Sequence, residues 1–389
     1  MNILKKYIAN HNRLKSFLLN SKGKGIVENI YHSEYKKNCL LMYSITPFVL
    51  KEKRYSHQIY WQVLEIAKAI SNYQFNIDVI DYWNTSVTLK KDYDMVLDLT
   101  PGRNKIIQKH LKENAIKIAY LTGSNPRFAN NAEKKRLEYL KQRRGYKLKQ
   151  RRQSPVLTKA IEQYHAAMFI GNRHNLKTYQ EYKMPPVYFI KNNGYDFEFK
   201  FDRSKKDSRS FLFLSSSGQV HKGLDLLLDI FSERNYPYEL YICSSFGEER
   251  DFVHAYRNEL FQCPNIHPIG FIDILGRVFQ KIVSKCVYAI MPSCSEGQSG
   301  SVCTAMSAGL INICSKECGF EDDEVIHLQD CRIETIRMAI QKYSDKDMDW
   351  IEGKSKKSYE IAQSRYGQKN FLNSIHAAFD KILQEDVKI

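Results

Sequence analysis

Short apolar runs alternate with longer amphipathic stretches along the first half of the chain. The runs have the length of buried strands, and they are NCLLMYSI (38–45), FNIDVIDY (75–82), YDMVLDLT (93–100), IKIAYLTG (116–123), AAMFIGN (166–172) and PVYFI (186–190). The stretches HQIYWQVLEIAKAISNY (57–73) and NKIIQKHLKEN (104–114) repeat apolar residues at helical spacing. This alternation predicts βαβ units and a parallel sheet.

The same alternation restarts in the second half at SFLFLSSS (210–217). Further strands are predicted at YELYICSS (238–245), NIHPIGF (265–271), CVYAIM (286–291) and LINICS (310–315), with helices between them and a helical tail from about residue 350. We therefore predict an α/β protein with two domains, residues 1–195 and 196–389, that face a central cleft. Ligands of open parallel sheets bind beyond the carboxyl ends of the strands, so we expect the functional residues in strand-to-helix loops.

Composition agrees with two packed cores, because the chain has 389 residues of which 43% are hydrophobic. None of the nine cysteines lies in a C-x-x-C pair, which favours buried reduced thiols over zinc ligands. The first residues include Lys5, Lys6 and Arg13, unlike a secretory signal, and the run CLLMYSITPFVL (39–50) is too short to span a bilayer. We expect a cytoplasmic protein, soluble or peripheral at the inner face of the cell membrane.

The formal charge of +16 is concentrated in two segments. Residues 1–25 carry six Lys and Arg with no acid, and residues 133–152 carry ten with two acids. Such segments are attracted to an anionic membrane surface, since each basic residue near it contributes roughly 1 kcal/mol. An ordinary solvated helix face is the alternative for both. Nucleic acid is not an expected partner, because no helix-turn-helix, zinc-finger or aromatic strand motif accompanies the charge.

A loop of small residues follows the first predicted strand of the second half. Ser217 and Gly218 lie in it, and His221 and Lys222 open the helix that comes next. Small residues let backbone N–H groups approach an anion, while the helix start and Lys222 add positive charge. The pattern predicts a diphosphate site, although its spacing is neither Walker nor G-x-G-x-x-G. An ordinary turn with a surface lysine is the alternative.

A second loop, PSCSEGQSGSVCTAMSAGL (292–310), joins two further strands. Glu296 lies just before the predicted helix start at 299–302. A carboxylate beside an anion site repels phosphate, so we expect it to accept hydrogen bonds from sugar hydroxyls or to oppose positive charge at an anomeric carbon. The alternative is a surface acid or a helix cap.

Four motifs together resemble those of a known enzyme family. KNNGYD (191–196) resembles an interdomain NG-x-D motif, HKGLDLLL (221–228) a KG motif, IHPIGFID (266–273) a strand and turn that hold a nucleotide base, and 292–309 a PS-x-x-EG…EAM-x-x-G pattern. The chain is thus similar to the retaining glycosyltransferases of group 1, family four, whose GT-B fold pairs two Rossmann-like domains. The motifs cover about residues 190–315, and the first domain matches only in architecture.

The resemblance implies a nucleotide-sugar donor and a catalytic pair. Lys222 would bind the donor diphosphate and stabilise the leaving group, and Glu296 would contact the donor sugar. The other implied donor contacts are Ser217, Gly218, His221, Phe271, Ile272, Gln298, Ser299, Gly300, Ser301, Val302 and Thr304. No metal or other cofactor is implied. Asp92-Tyr93-Asp94 is formally D-x-D, but it lies at a strand entrance, away from the expected ligand edge.

Two departures from the family pattern affect the donor site. The family's second glutamate, on the nucleotide ribose, is Thr304 here, and its arginine on the diphosphate is Ser217. Loss of a charged hydrogen bond is typically worth ~1.5–3 kcal/mol. The departures suggest an unusual donor, weak binding, or other cations such as His221.

The first domain offers three candidates for acceptor binding. Asn125 and Arg127 lie in the loop LTGSNPRF (121–128), and His57 follows the first long strand. The resemblance implies transfer of a sugar, with retention, to a glycan or lipid-linked acceptor in surface polysaccharide or lipopolysaccharide synthesis. The alternative is a non-catalytic binding or scaffold protein on the same fold, which the two departures favour and intact Lys222 and Glu296 oppose.

Overall fold

The computed structural model describes residues 25–49 and 58–385, which form two largely parallel sheets. The strands of the first sheet are β1 (Ile26–Val27), β2 (Lys37–Tyr43), β3 (Phe75–Asp81), β4 (Tyr93–Asp98), β5 (Leu111–Leu121), β6 (Ala166–Ile170) and β7 (Val187–Ile190). Their spatial order is β1-β3-β2-β4-β5-β6-β7, and only the edge strand β1 pairs antiparallel. The order reverses between β2 and β4, which makes that gap the switch point of the sheet.

The second sheet is parallel throughout. Its strands are β8 (Asp207–Leu214), β9 (Glu239–Cys243), β10 (Ile266–Pro268), β11 (Cys286–Met291), β12 (Ile311–Cys314) and β13 (Ile326–His327). Their order is β10-β9-β8-β11-β12-β13, a doubly wound arrangement whose switch point lies between β8 and β11. The predicted α/β architecture of two Rossmann-like units is confirmed.

Helices cover the faces of both sheets. They are α1 (Thr46–Val49), α2 (Gln58–Ser71), α3 (Lys105–Lys109), α4 (Pro126–Arg144), α5 (Arg173–Leu176), α6 (Gln219–Lys222), α7 (Leu224–Phe231), α8 (Arg250–Ala255), α9 (Arg257–Gln262), α10 (Arg277–Lys285), α11 (Gly300–Ser307), α12 (Ile333–Ser344), α13 (Met348–Arg365) and α14 (Gln368–Glu385). In α2, Val63, Ile66, Ala67 and Ile70 recur at helical spacing, and all four are buried on the first sheet.

The last helix packs on the first sheet although it comes from the end of the chain. Phe371, Ile375, Phe379 and Ile382 of α14 belong to the same buried cluster as α2 and strands β2 and β3. The apolar face of α14 therefore completes the core of the first domain. The division at residues 195 and 196 stays a prediction. Helix α14, which lies after that division in the chain, packs on the first sheet.

The basic helix α4 comes from the first half of the chain but packs on the second domain. Leu140 of α4 is buried in the core of the second domain together with residues of α6 and α7. Gly145, in the left-handed conformation at φ 76°, ends the helix. Each half of the chain thus contributes a helix to the other half's domain.

Acidic side chains of the second domain bind most arginines of this basic segment. Arg143 pairs with Asp225 (2.6 Å) and Asp229, and Arg144 pairs with Asp229 (3.1 Å) and Glu259 (2.6 Å). Arg136 donates to the Pro292 carbonyl at 3.2 Å, and Arg151 pairs with Asp251. These arginines are therefore bound within the protein and do not support the predicted membrane role of residues 133–152. Residues 1–24 lie outside the described part of the chain.

Several predicted elements differ from the structure. The residues LKEN (111–114) were expected to continue a helix, but α3 ends at Lys109 and they begin β5. The helix expected between the strands at 238–245 and 265–271 is split at Tyr256 into α8 and α9, and β13 and α12 were not predicted. Among the described residues, no helix combines the length and the apolar character needed to cross a membrane.

We predict that Arg143→Met lowers the free energy of unfolding by about 3 kcal/mol. Asp225 has no exposed surface, so removing its ion-pair partner leaves a buried charge under-compensated. Chemical denaturation measures the effect, and Lys134→Met, at an exposed position of the same helix, is the matched control with a change within about 0.5 kcal/mol. Wild-type stability in Arg143→Met would show that α4 docks through its apolar face alone.

Candidate functional site

Both loops singled out in the sequence lie at the switch point of the second sheet. The loop at 215–218 follows β8, and the loop at 292–299 follows β11, the neighbouring strand. The carboxyl ends of these two strands therefore bring Lys222 and Glu296 together across 74 residues of sequence.

Lys222 and Glu296 form an ion pair at the base of the cleft. The Lys222 Nζ contacts Glu296 Oε1, and the Ser293 hydroxyl donates to the same oxygen at 2.8 Å. Burial would raise the pKa of Glu296, but the charges of Lys222, His221 and Arg152 outweigh it and lower the pKa to about 2. Glu296 is therefore an anion at neutral pH, suited to accept hydrogen bonds and to oppose positive charge rather than to donate a proton.

His221 lies beside this pair and is buried. Its Nε2 is 2.6 Å from the Ser295 carbonyl oxygen, which is an acceptor, so Nε2 carries the proton. Burial is the main cause that lowers the pKa of His221, to about 4. His221 is neutral at pH 7 and does not replace the missing cation at position 217.

The backbone of the predicted diphosphate loop is already engaged. The Gly218 and Gln219 N–H groups donate to the Glu249 carboxylate at 2.5 Å and 3.2 Å, and Glu249 is buried. A ligand at this loop would therefore meet side chains rather than these two N–H groups. Ser217 is half-buried at its edge.

The start of α11 forms the other wall of the cleft. Its N-cap Ser299 makes no side-chain cap, and a Cβ on Gly300 would lie 2.3 Å from the Gln58 Oε1 of the first domain. Ser301 is half-buried, whereas Val302 packs in the core. The Thr304 hydroxyl donates to the Gly300 carbonyl at 2.8 Å, so the helix itself satisfies that donor.

The Glu296 carbonyl connects the two domains directly. It accepts hydrogen bonds from Ser124 N (2.9 Å), Ser124 Oγ (2.6 Å) and Asn175 Nδ2 (3.3 Å), all from the first half of the chain. A Cβ on Gly297 would lie 2.5 Å from the Ile170 carbonyl oxygen and 2.7 Å from that of Thr122. Glycine at 297 therefore permits the backbones of the two domains to touch.

The KNNG segment (191–194) joins the two halves of the chain and is hydrogen-bonded to the loop after β11 and to α2. The Gln298 side chain accepts from Asn192 N at 2.8 Å, and the Gln298 carbonyl accepts from Asn192 Nδ2 at 2.6 Å. Gln62 of α2 donates to Asn192 and Asn193, both at 2.8 Å. Gln298, predicted to contact the donor, thus also connects the KNNG segment to the loop that carries Glu296.

The predicted base-binding residues lie farther along the same edge of the sheet. Phe271 is 66% exposed, and Ile272 packs partly on a cluster that includes Phe279 and Ile282. An exposed aromatic ring beyond β10 has the shape and polarity for stacking on a flat ring.

The acceptor candidates have different surroundings. Asn125 is the N-cap of α4, donates to Glu181 at 3.0 Å and has no exposed surface, so its predicted acceptor contact is not supported. Arg127 pairs with Glu181 at 2.8 Å while its side chain stays 55% exposed. His57 lies outside the described residues.

Metal ligands were not expected, and D-x-D was expected at a strand entrance. Asp94 does lie at the amino end of β4, where it pairs with Lys112 at 2.7 Å. In the described part of the chain, no group of three or more His, Cys, Asp or Glu side chains is arranged to hold a metal ion.

The pKa of His221 predicts a pH-dependent stability. The folded pKa of about 4 lies below the unfolded value of 6.5, so protons bind the unfolded chain first and stability is lost as pH falls below 6.5. We expect His221→Gln, which retains a donor for Ser295, to remove about 2 kcal/mol of the loss between pH 7.5 and 5 in denaturant titrations. Exposed His174→Gln should keep the wild-type profile; an unchanged profile in His221→Gln would contradict the assignment.

The contact at Gly297 predicts that Gly297→Ala opens the cleft. Its methyl group would collide with backbone oxygens of the first domain, which cannot rotate away. We expect a larger radius of gyration in small-angle scattering and a lower melting temperature. At Gly353 a Cβ would meet nothing within 4 Å, so Gly353→Ala should neither enlarge the radius of gyration nor lower the melting temperature. Identical scattering for wild type and Gly297→Ala would mean that the domains do not hold this contact in solution.

Comparison with known proteins identifies the fold. No protein-family model matches the chain, and no curated protein matches it in sequence. Sucrose-phosphate synthase from Thermosynechococcus elongatus aligns with a TM-score of 0.62 and 11% identity over 90% of this chain and 100% of that one. HepE of Anabaena, solved in complex with UDP and glucose, aligns with a TM-score of 0.56 and 10% identity over the same shares.

TarM of S. aureus aligns with a TM-score of 0.52 and 12% identity over 74% of this chain. This chain spans about half the length of TarM, since the alignment covers 54% of it. Identities this low establish common architecture only, and the architecture they establish is the one that the motifs predicted. The chain has the GT-B fold of two Rossmann-like domains, shared with glycosyltransferases.

Proposed function

We propose that the protein is a glycosyltransferase that moves a sugar from a nucleotide-sugar donor to an acceptor. The observation that carries this proposal is the Lys222–Glu296 pair at the switch point of the second sheet, beside the uncapped start of α11. A cation, an anion and a helix start without a side-chain cap lie at one sheet edge. The cation and the helix start suit the diphosphate of such a donor, and the anion suits its sugar hydroxyls.

Donor binding would change the partners of this pair. The diphosphate draws the Lys222 ammonium away from Glu296, and the freed carboxylate accepts hydrogen bonds from the donor sugar. The bond between the anomeric carbon and the phosphate oxygen then breaks, and Lys222 and the α11 N–H groups stabilise the charge on the leaving diphosphate.

The acceptor hydroxyl attacks from the side that the diphosphate leaves, and its proton passes to the departing phosphate oxygen. This front-face course forms the new glycosidic bond with retention. Positive side chains and helical N–H groups supply the charge stabilisation, so the proposed reaction uses no metal ion.

We propose a uridine diphosphate sugar as the first donor class to examine. The support is that HepE was solved with UDP and glucose, and the pneumococcal transferase GtfA with UDP and GlcNAc. The exposed ring of Phe271 would stack on the base. The acceptor would be a glycan or lipid-linked glycan that approaches from the first domain near Arg127, as in surface polysaccharide or lipopolysaccharide synthesis.

A peripheral position on an anionic membrane is part of this proposal. The exposed lysines of the basic segment support it, and these are Lys134, Lys135, Lys141, Lys147 and Lys149. Because these residues are exposed, they remain available to lipid phosphates.

The test is donor hydrolysis and transfer by the purified chain with a panel of nucleotide sugars. We expect Lys222→Ala and Glu296→Gln to lower kcat by at least a hundredfold, because each removes charge stabilisation from the departing diphosphate or the sugar. Lys134→Ala, at an exposed position on α4, is the matched control and should keep wild-type kcat. Donor binding without turnover in wild type would instead favour a non-catalytic binding protein on this fold.

A further inference from the structure

The side chain of Arg152 lies on the predicted diphosphate loop. Arg152 follows α4 in the first half of the chain, whereas Gly218 follows β8 in the second. Gly218 has φ +85°, and a Cβ built on it would lie 2.5 Å from Arg152 Cγ and 2.9 Å from Cδ. Glycine at 218 therefore leaves the space that the aliphatic part of Arg152 occupies.

A buried carboxylate holds the backbone of Arg152 in this position. Glu133 of α4 is 1% exposed and accepts the N–H of Arg151 at 2.9 Å and that of Arg152 at 3.0 Å. The chain is thus anchored just before the side chain that reaches Gly218. Such anchoring lowers the entropy lost when the guanidinium binds a ligand.

Arg152 differs from Arg143, Arg144 and Arg151 in its charge partners. Arg143, Arg144 and Arg151 form ion pairs with acids of the second domain. No acid in the described ranges 25–49 and 58–385 forms an ion pair with Arg152, whose residue stays exposed. Its charge instead acts on the cleft: burial raises the pKa of Glu296, and Arg152 is among the charges that lower it.

The donor loop lacks a second cation of its own. Position 217 is a serine, His221 is neutral, and the Gly218 N–H is bound to Glu249. Lys222 alone would face a diphosphate that carries two or more negative charges. Arg152 contacts the same loop from the segment that follows α4, and its planar guanidinium is suited to bidentate phosphate contact.

We propose that Arg152 binds the diphosphate of the nucleotide donor together with Lys222, and so replaces the cation that is absent at Ser217. This inference rests on the proposed function and specifies how its donor is held. The diphosphate then lies between Arg152, which follows the docked helix α4, and Lys222 of α6, so residues from both halves of the chain hold it.

The experiment is titration calorimetry with UDP, GDP, ADP, CDP, TDP, their monophosphates and inorganic pyrophosphate. Arg152→Gln should weaken the tightest-binding nucleoside diphosphate about tenfold to a hundredfold, with little effect on the monophosphate. Arg152→Lys should retain part of the affinity, because the charge remains but the bidentate geometry is lost. Lys147→Gln, which removes an exposed charge from the same segment, is the matched control and should bind as wild type.

Two readouts separate a diphosphate contact from a structural role. The salt dependence of diphosphate binding should become shallower in Arg152→Gln, while the melting temperature without ligand stays within about 2 °C of wild type. Equal weakening of diphosphate and monophosphate, or wild-type affinity in Arg152→Gln beside lost affinity in Lys222→Ala, would overturn the role of Arg152 alone. Absence of binding by any of these nucleotides or by pyrophosphate in wild type would overturn the proposed function and this inference with it.

Discussion

The carbonyl of Glu296 is held by hydrogen bonds from Ser124 and Asn175, and the cleft depends on this contact between domains. Its side chain, on the same residue, pairs with Lys222. The next residue, Gly297, lies too close to the first domain for a side chain. One short stretch therefore sets both the separation of the domains and the orientation of the charged pair. A movement that separated the two domains would therefore also displace the Glu296 carboxylate.

The charges of the cleft behave as a set rather than as independent groups. Glu296 is the only acid paired with Lys222 in the described chain, and burial keeps His221 neutral beside them. Mutual neutralisation allows both charges to remain nearly buried without ligand. A ligand that separates Lys222 from Glu296 must replace the lost ion pair, so it must offer Lys222 another negative charge. The proposed function would therefore give selectivity for a diphosphate with an attached sugar, because that ligand supplies a partner to each member of the pair.

Sequence patterns predicted the parallel sheets because buried strands and amphipathic helices have distinct periodicities. They also placed Lys222 and Glu296 in strand-to-helix loops of the second domain, whereas the structure supplied the strand order that makes β8 and β11 neighbours. The fate of the basic segment could not be predicted, because a charge run has the same composition whether it faces lipid or Asp225 and Asp229. Glu249 and Arg152 were missed for the related reason that contacts with a loop distant in sequence leave no local signature.

The reciprocal exchange of α4 and α14 has a consequence for synthesis of the chain. A ribosome produces the first sheet well before Phe371, Ile375 and Phe379, which fill one of its faces. Until then, an apolar surface of that sheet remains uncovered, while α4 has no acidic surface on which to dock. Completion of both cores must therefore await nearly the whole polypeptide, which makes the nascent first half a natural client for chaperones.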